Sequence, residues 1–273
     1  MNFKSLGLSI KVQQALKAAG YQAPTQVQSQ TIPAILKGCD VLVAAQTGTG
    51  KTACFAAPML DILSKASPPK SNHVKGLILS PTRELAIQLH QAIIGYGRYS
   101  GLHSAVVFGG VKINPQMMAL RKGVHLLVAT PGRLLDLYKH NAIAFNQLEI
   151  IVLDEADKMM NLGFRGEINQ ILDVLPRQRQ TLMLSATLSP EIKSLARAIL
   201  QRPTEITITP RKITPTKLKQ RIICVDKKRK TELLVELVKK HEWRQALIFT
   251  NTKKNADRLV SVLSAAGNKA FAI

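Results

Sequence analysis

Residues 40–52 read DVLVAAQTGTGKT. Val41 to Ala45 are apolar at every position, the pattern of a strand buried on both faces rather than one. The run ends in Gln46-Thr47-Gly48-Thr49-Gly50, and a helix-period segment near 51–65 follows at once. Glycines at such a junction let backbone N–H groups curl around phosphate oxygens, and the helix N-terminus adds positive potential. Lys51 suits the β- and γ-phosphates of a nucleotide, and the Thr52 hydroxyl suits Mg²⁺. The general pattern has Gly where Ala45 stands, so the strand before and the helix after carry the reading, not the string alone.

Outward from this stretch, short apolar runs recur at 76–80, 104–108, 124–129, 149–153, 181–185 and 204–208, joining 40–45. Helix-period segments near 82–98, 131–140, 165–175 and 190–200 separate them. The alternation predicts an α/β, doubly wound parallel sheet over residues 1–208. Residues 209–217 (TPRKITPTK) read as a linker. The rhythm restarts over 218–273 with strands at 219–225 and 246–250, helices at 228–240 and 252–266, and a last strand opening at 269–273. This second piece reads as the start of a further α/β domain, incomplete because so few strands cannot cover both faces.

The run Ile150-Ile151-Val152-Leu153 ends in Asp154-Glu155-Ala156-Asp157. Carboxylates at the end of a buried strand sit at the sheet edge where α/β proteins bind ligands. Asp154 suits Mg²⁺ held through its water shell, and Glu155 suits orienting and activating a water. A solvated acidic turn is the plain alternative; its position about a hundred residues after a phosphate-type loop argues against it.

The 273 residues are 46% hydrophobic and carry a net charge of +21. Residues 193–273 hold 19 Lys/Arg against 6 Asp/Glu, and residues 1–192 hold 19 against 11. A surplus of this size suits a polyanion, since Lys and Arg on phosphates release counterions. Cys39, Cys54 and Cys224 are odd in number and widely spaced, which excludes a disulfide framework or a zinc set and points to the cytoplasm. No stretch nears the ~18 apolar residues of a membrane span, and the six histidines show no ligand spacing.

With both motifs in place, the chain resembles the DEAD-box family of ATP-dependent RNA helicases; runs such as VVFGGVKINPQMMAL resemble its bacterial RhlE-type branch. The resemblance runs from residue 3 to 273 and implies a RecA-like ATP-binding domain followed by part of a second. It implies a nucleotide site of Phe3, Tyr21, Gln28 and Ala45 to Thr52, with Gln28 reading adenine and Tyr21 and Phe3 supporting the base. Pro81, Thr82 and Arg83, Gly109-Gly110, and Thr130, Gly132 and Arg133 are implied as RNA-backbone contacts. Ser185-Ala186-Thr187, with Asp157, is implied to couple nucleotide state to unwinding, and Leu247 to Thr250 to be the first conserved strand of the second domain.

Glu155, Lys51 and Asp154 are then the catalytic set, Thr52 and Asp154 the metal set, ATP and Mg²⁺ the cofactors. RNA is the partner, with ribonucleoprotein or ribosome-assembly factors possible beside it. Two departures, Lys158 for Arg and Asn161 for Asp, are expected to touch none of the chemistry. The family's His-Arg-x-Gly-Arg-x-x-Arg motif has no match after Thr250, so the chain as given is expected to be a poorly active, incomplete form. A non-catalytic ATP- and RNA-binding protein is the alternative. A small-molecule P-loop kinase has less support, because no acceptor-substrate lid is recognisable.

Overall fold

The computed structural model describes residues 2–46, 48–208, 221–241 and 243–273. The chain divides into two compact units, Met1–Lys212 and Ile213–Ile273.

The first unit opens with a 3-10 turn, Phe3–Leu6, and two helices, α1 (Ile10–Ala18) and α2 (Gln26–Leu36). Seven strands follow: β1 (Val41–Ala44), β2 (Val74–Leu79), β3 (Ser104–Val107), β4 (Val124–Ala129), β5 (Ile150–Leu153), β6 (Gln180–Ser185) and β7 (Thr204–Thr207). They form one sheet in the order β3-β4-β2-β5-β6-β1-β7, every pair parallel. All seven expected strands are present within a few residues.

Between them lie α3 (Lys51–Leu63), α4 (Arg83–Tyr96), α5 (Asn114–Leu120), α6 (Pro131–Lys139), α7 (Ala156–Asn161), α8 (Arg165–Val174) and α9 (Pro190–Ile199). The sequence reading missed α1, α2, α5 and α7. Two of these are short, and α2 carries Pro33 inside it, so helix periodicity alone is weak there.

Side-chain alternation explains why the central strands are apolar on consecutive positions, while the edge strand β7 buries only Ile206. Val41, Val43, Ile150, Val152, Leu182 and Leu184 enter one core with α1 to α4. Leu42, Ile151, Leu153 and Met183 enter the other with α6 to α9. Successive residues point to opposite faces, and each face is covered. The face follows the direction of travel: β1 to β2 to β3 runs one way along the sheet and every later connection returns, so right-handed crossovers put the two helix sets on opposite sides.

Side chains fix the strand starts. Asp40 Oδ1 accepts from Thr181 N at 2.8 Å and Oδ2 from Gln201 N at 2.7 Å, tying the start of β1 to the start of β6 and the lead-in of β7. Gln180 Nε2 donates to the Ile35 and Cys39 carbonyls, at 3.0 and 2.6 Å.

The second unit contains a 3-10 turn, Lys227–Arg229, running into α10 (Lys230–Lys240), and α11 (Lys253–Ala265), capped by Thr252. Both expected helices are present. The expected linker 209–217 lies outside the described residues. The three expected strands are corrected: described residues 221–225, 246–250 and 269–273 are not in strands. A strand exists only as one side of a hydrogen-bonded ladder, and none of these segments has a paired neighbour among the described residues. Ile222, Leu247, Phe249 and Phe271 are correspondingly exposed.

Gly123 precedes β4 at φ +73°, and an added Cβ would run into the Lys70 carbonyl oxygen and lie 3.0 Å from that of Pro69. Gly101 has a similar φ of +72° but open space around it. Gly101→Ala should lose about 1 kcal/mol from the left-handed backbone alone, and Gly123→Ala at least about 2 kcal/mol more from backbone overlap. Urea unfolding of both variants checks this; equal losses would show that Gly123 is not tightly enclosed.

Candidate nucleotide and RNA site

Parallel pairing puts all strand C-termini on one edge, and the strand order sorts the motifs along it. Ala44 pairs with Ser185, and Leu153 with Met183, so the loops leaving β1, β6 and β5 are neighbours. Ala45 N donates to Ser185 O at 3.1 Å, and Asp154 N to Leu79 O at 3.0 Å. The loops leaving β2, β4 and β3 continue the edge, with Ser80 N donating to Ala129 O and Thr130 N to Val107 O. Motifs interleaved in sequence thus become two contiguous halves.

In the first half, Gly48 and Gly50 have φ +83° and +87°, which curls the loop before α3. Ala45 is buried, Gln46 and Gly48 are exposed, and Thr49 and Thr52 are half-buried. Thr49 Oγ1 donates to Gln46 O at 2.8 Å, and the buried Lys51 ammonium donates to Ala45 O at 2.8 Å. Thr47 lies outside the described residues.

Gln28 is fully buried: its Oε1 accepts from Thr25 N at 2.9 Å and its Nε2 donates to Gly50 O at 3.1 Å. Thr25 Oγ1 donates to Thr49 O at 3.0 Å, so a capping box at the start of α2 is fastened to the loop. In the structure both ends of the Gln28 amide support the loop's backbone. The signature Thr25-x-x-Gln28 was readable in the sequence as a helix start.

Phe3 and Tyr21 meet edge-to-face at 6.2 Å, and Tyr21 Oη lies 2.7 Å from Tyr96 Oη. Both rings line an open groove of about 680 Å³ that also includes Lys4, Ile10 and Lys17.

Asp154 is buried at the end of β5, and burial pushes its carboxyl up to about 6 against the pull of Lys51. Glu155 turns the chain with φ 50°, a left-handed conformation rarely adopted outside glycine, and its N–H donates to Asp154 Oδ1 at 3.0 Å. The Lys158 ammonium lies 2.7 Å from Glu155 Oε2, an ion pair off hydrogen-bonding alignment. The expectation that Lys158 touches none of the chemistry is thereby corrected: one turn of α7 brings residue 158 back over residue 155.

Asp157 Oδ2 accepts from Thr187 N at 3.1 Å and Thr187 Oγ1 at 3.0 Å. Ser185 Oγ donates to Thr187 O at 2.7 Å. The three candidate coupling residues form one network between the ends of β5 and β6.

In the second half, Pro81 is buried, Thr82 caps α4 by accepting from Leu85 N at 3.3 Å, and Arg83 is exposed with its guanidinium 4.9 Å from the Phe108 ring centre. Gly109 and Gly110 are exposed, and Thr130 and Gly132 are half-buried at the start of α6. Arg133 is nine-tenths buried and donates from Nη2 to Val111 O at 2.8 Å. Gln116, which the sequence reading passed over, accepts from Phe108 N at 3.0 Å and donates to Phe108 O at 3.2 Å.

A DEAD/DEAH box helicase family model matches residues 25–195. The chain belongs to this family. It is 38% identical to the DEAD-box ATP-dependent RNA helicase RhpA of Helicobacter pylori, over all of this chain and 54% of that one. It is 40% identical to the ATP-dependent rRNA helicase rrp3 of Emericella nidulans, over 97% of this chain and 57% of that protein. The crystal structure of a DEAD box protein from Methanococcus jannaschii superposes with a TM-score of 0.71 at 33% identity, over 100% of this chain and 72% of that one. The chain spans about half the length of the curated relatives it matches.

Among the described residues no helix is long and apolar enough to cross a membrane. The chemistry of the edge fits a metal–nucleotide complex, with curled glycine N–H groups and a buried ammonium for phosphates, and the Thr52 hydroxyl with the Asp154 carboxylate for Mg²⁺.

A carboxyl held near 6 when folded and near 3.8 when unfolded binds its proton more tightly in the fold, so stability falls as pH rises from about 4 through about 6. Asp154→Asn removes that fall. Its unfolding free energy relative to the parent should climb by on the order of 2 kcal/mol between pH 4.5 and pH 8. A difference constant with pH would show that the Asp154 carboxyl titrates normally.

Proposed function

We propose that the chain provides the ATP-binding and RNA-gripping unit of an ATP-dependent RNA helicase. The observation that carries this is the sorting of the sheet edge: the phosphate-type loop, Asp154-Glu155 and Ser185–Thr187 share three adjacent strand ends, and the RNA-motif loops share the next three.

Lys51 and the loop N–H groups hold the phosphates, while Thr52 and Asp154 hold Mg²⁺, which supplies charge neutralisation when bound. Glu155 accepts a proton from the water it orients, and the Lys158 ammonium beside it fixes where its carboxylate points. Hydrogen bonds from Asp157 to Thr187 tie the segment after β6 to the carboxylate turn, so a shift at the nucleotide is passed along the edge. Gln28 holds Gly50 in place, and adenine preference is assigned to it through this loop as well as through any base contact.

RNA lies along the loops leaving β2, β4 and β3, gripped by backbone groups and Arg83, which favours sequence-tolerant, salt-sensitive binding. The rRNA in the name of the Emericella nidulans relative makes structured ribosomal RNA, and with it a ribonucleoprotein setting, the first substrate to try. Three free cysteines support a cytoplasmic location.

Turnover is expected to be slow in these 273 residues, because none of the family's charge-neutralising arginine motif lies among them. Fluorescent ATP titrations with Mg²⁺ test the nucleotide half. Lys51→Ala should weaken binding by at least roughly tenfold, while Glu155→Gln keeps affinity and lowers RNA-stimulated phosphate release. Unchanged binding by Lys51→Ala would contradict the nucleotide assignment. Intact binding with no turnover that depends on Glu155 or RNA, in a chain continued through that arginine motif, would favour the non-catalytic reading.

A further inference from the structure

Arg133 is the candidate RNA contact whose surroundings fit that role worst. Its side chain is 8% exposed. Nη2 donates to the Val111 carbonyl at 2.8 Å, and Nε lies 3.8 Å from Asp136 Oδ2. Nε and Nη1 are buried with no hydrogen-bond partner among the described residues. A guanidinium enclosed in this way cannot reach a phosphate without leaving its seat, and leaving it would strand the Val111 carbonyl.

What Arg133 does hold is the loop 108–113 between β3 and α5. Four other contacts fix the same loop. The Gln116 amide closes on Phe108 N and O and lies 3.4 Å from Lys112 O, so one side chain grips both ends. Arg83 lies 4.9 Å from the Phe108 ring centre. Between these anchors the N–H groups of Gly109, Gly110, Val111 and Lys112 donate to nothing among the described residues, and all four residues are exposed. Gly110 has φ +80°. Successive unpaired N–H groups on exposed residues, with a left-handed glycine among them, suit an anionic oxygen.

We propose that Arg133 and Gln116 are positioning residues that hold the backbone N–H groups of residues 109–112 in place for an RNA phosphate, and that Arg133 itself touches no phosphate. This rests on the RNA-binding reading above. The link crosses strands: Arg133 on the helix after β4 sets a loop that leaves β3, so the two RNA loops move as one body. Gln116 escapes motif reading because a lone amide on a short helix carries no periodic or charge signal.

The two roles predict different salt behaviour. Each phosphate neutralised by a cation on single-stranded RNA contributes about 0.7 to the slope of log affinity against log salt, and a backbone N–H contributes nothing to it. The test uses the 273-residue chain with labelled oligouridine, Mg²⁺ and a non-hydrolysable ATP analogue, between roughly 50 and 200 mM KCl.

Arg133→Met and Gln116→Ala should each weaken binding roughly tenfold with the parent's slope, and Arg133→Lys should recover part of the loss. Arg83→Met should lower the slope by about 0.7. In the RNA-free chain, amide exchange at Phe108, the loop N–H that Gln116 holds, should quicken in Arg133→Met and Gln116→Ala, with ATP affinity unchanged.

A slope lowered by about 0.7 in Arg133→Met, with loop amides unmoved, would make Arg133 a direct phosphate contact and overturn the proposal. Loop amides unmoved in both variants would overturn it as well. Should the parent chain bind no oligouridine, the RNA-binding reading falls, and amide exchange still decides whether these side chains hold the loop. Because Gln116 lies on a half-exposed helix face, its variant keeps the test open if Arg133→Met fails to fold.

Discussion

Parallel strand pairing is the constraint on which the rest of the molecule depends. An antiparallel neighbour would send its exit loop to the far edge, whereas seven strands in one direction send every exit loop to the same edge. Order within the sheet then does the sorting. Because β6 inserts between β5 and β1, the phosphate-type loop, the Asp154 turn and the Ser185–Thr187 segment meet within hydrogen-bonding reach. Because β4 lies between β3 and β2, the remaining loops adjoin them as a second group. Burial on both faces fixes the order of the central strands: β1, β2, β4, β5 and β6 each supply alternate side chains to two separate cores, and a slip of one residue would exchange them.

The edge is also where the fold carries its least comfortable groups. Asp154 and Lys51 are buried charges, and Glu155 takes a left-handed backbone for a residue with a side chain. These features persist because neighbours over-determine them. Glu155 N bonds the Asp154 carboxylate, Lys158 faces Glu155, Lys51 is seated on Ala45 O, and Gln28 ties Gly50 to the start of α2. Strain held in this way at a ligand-binding edge is the usual signature of preorganisation. By contrast, Cys54 beneath the same loop is fully buried, and burial pushes its thiol up, which leaves it inert packing.

The sequence made the sheet legible because buried parallel strands are apolar at consecutive positions and alternate with helix-period segments. All seven strands and five of the nine helices of the first unit were readable on that ground. Helices α5 and α7 were too short for periodicity, and α2 was hidden behind Pro33, although its Thr25-x-x-Gln28 start was in plain view. Residue types predicted which side chains gather at the edge but not how each is used. Arg133, expected at the RNA backbone, is enclosed and holds the Val111 carbonyl; Gln28, expected at the adenine, also ties the phosphate-type loop; Lys158, expected to stand apart, faces Glu155. Those outcomes depend on three-dimensional neighbours that one-dimensional spacing does not encode. The strands expected after residue 218 failed for a related reason, since a strand is a property of a pair.

The central claim is that one edge of one sheet is divided between nucleotide and RNA. Backbone amide chemical-shift mapping of the 273-residue chain, with Mg²⁺·ATP analogue alone and with oligouridine alone, tests it most directly. The account predicts nucleotide-induced changes centred on 45–52, 154–158 and 185–187, and RNA-induced changes centred on 81–83, 108–112 and 130–133. Nucleotide-induced changes centred on the second set of loops, or RNA-induced changes at the opposite edge of the sheet, would contradict it.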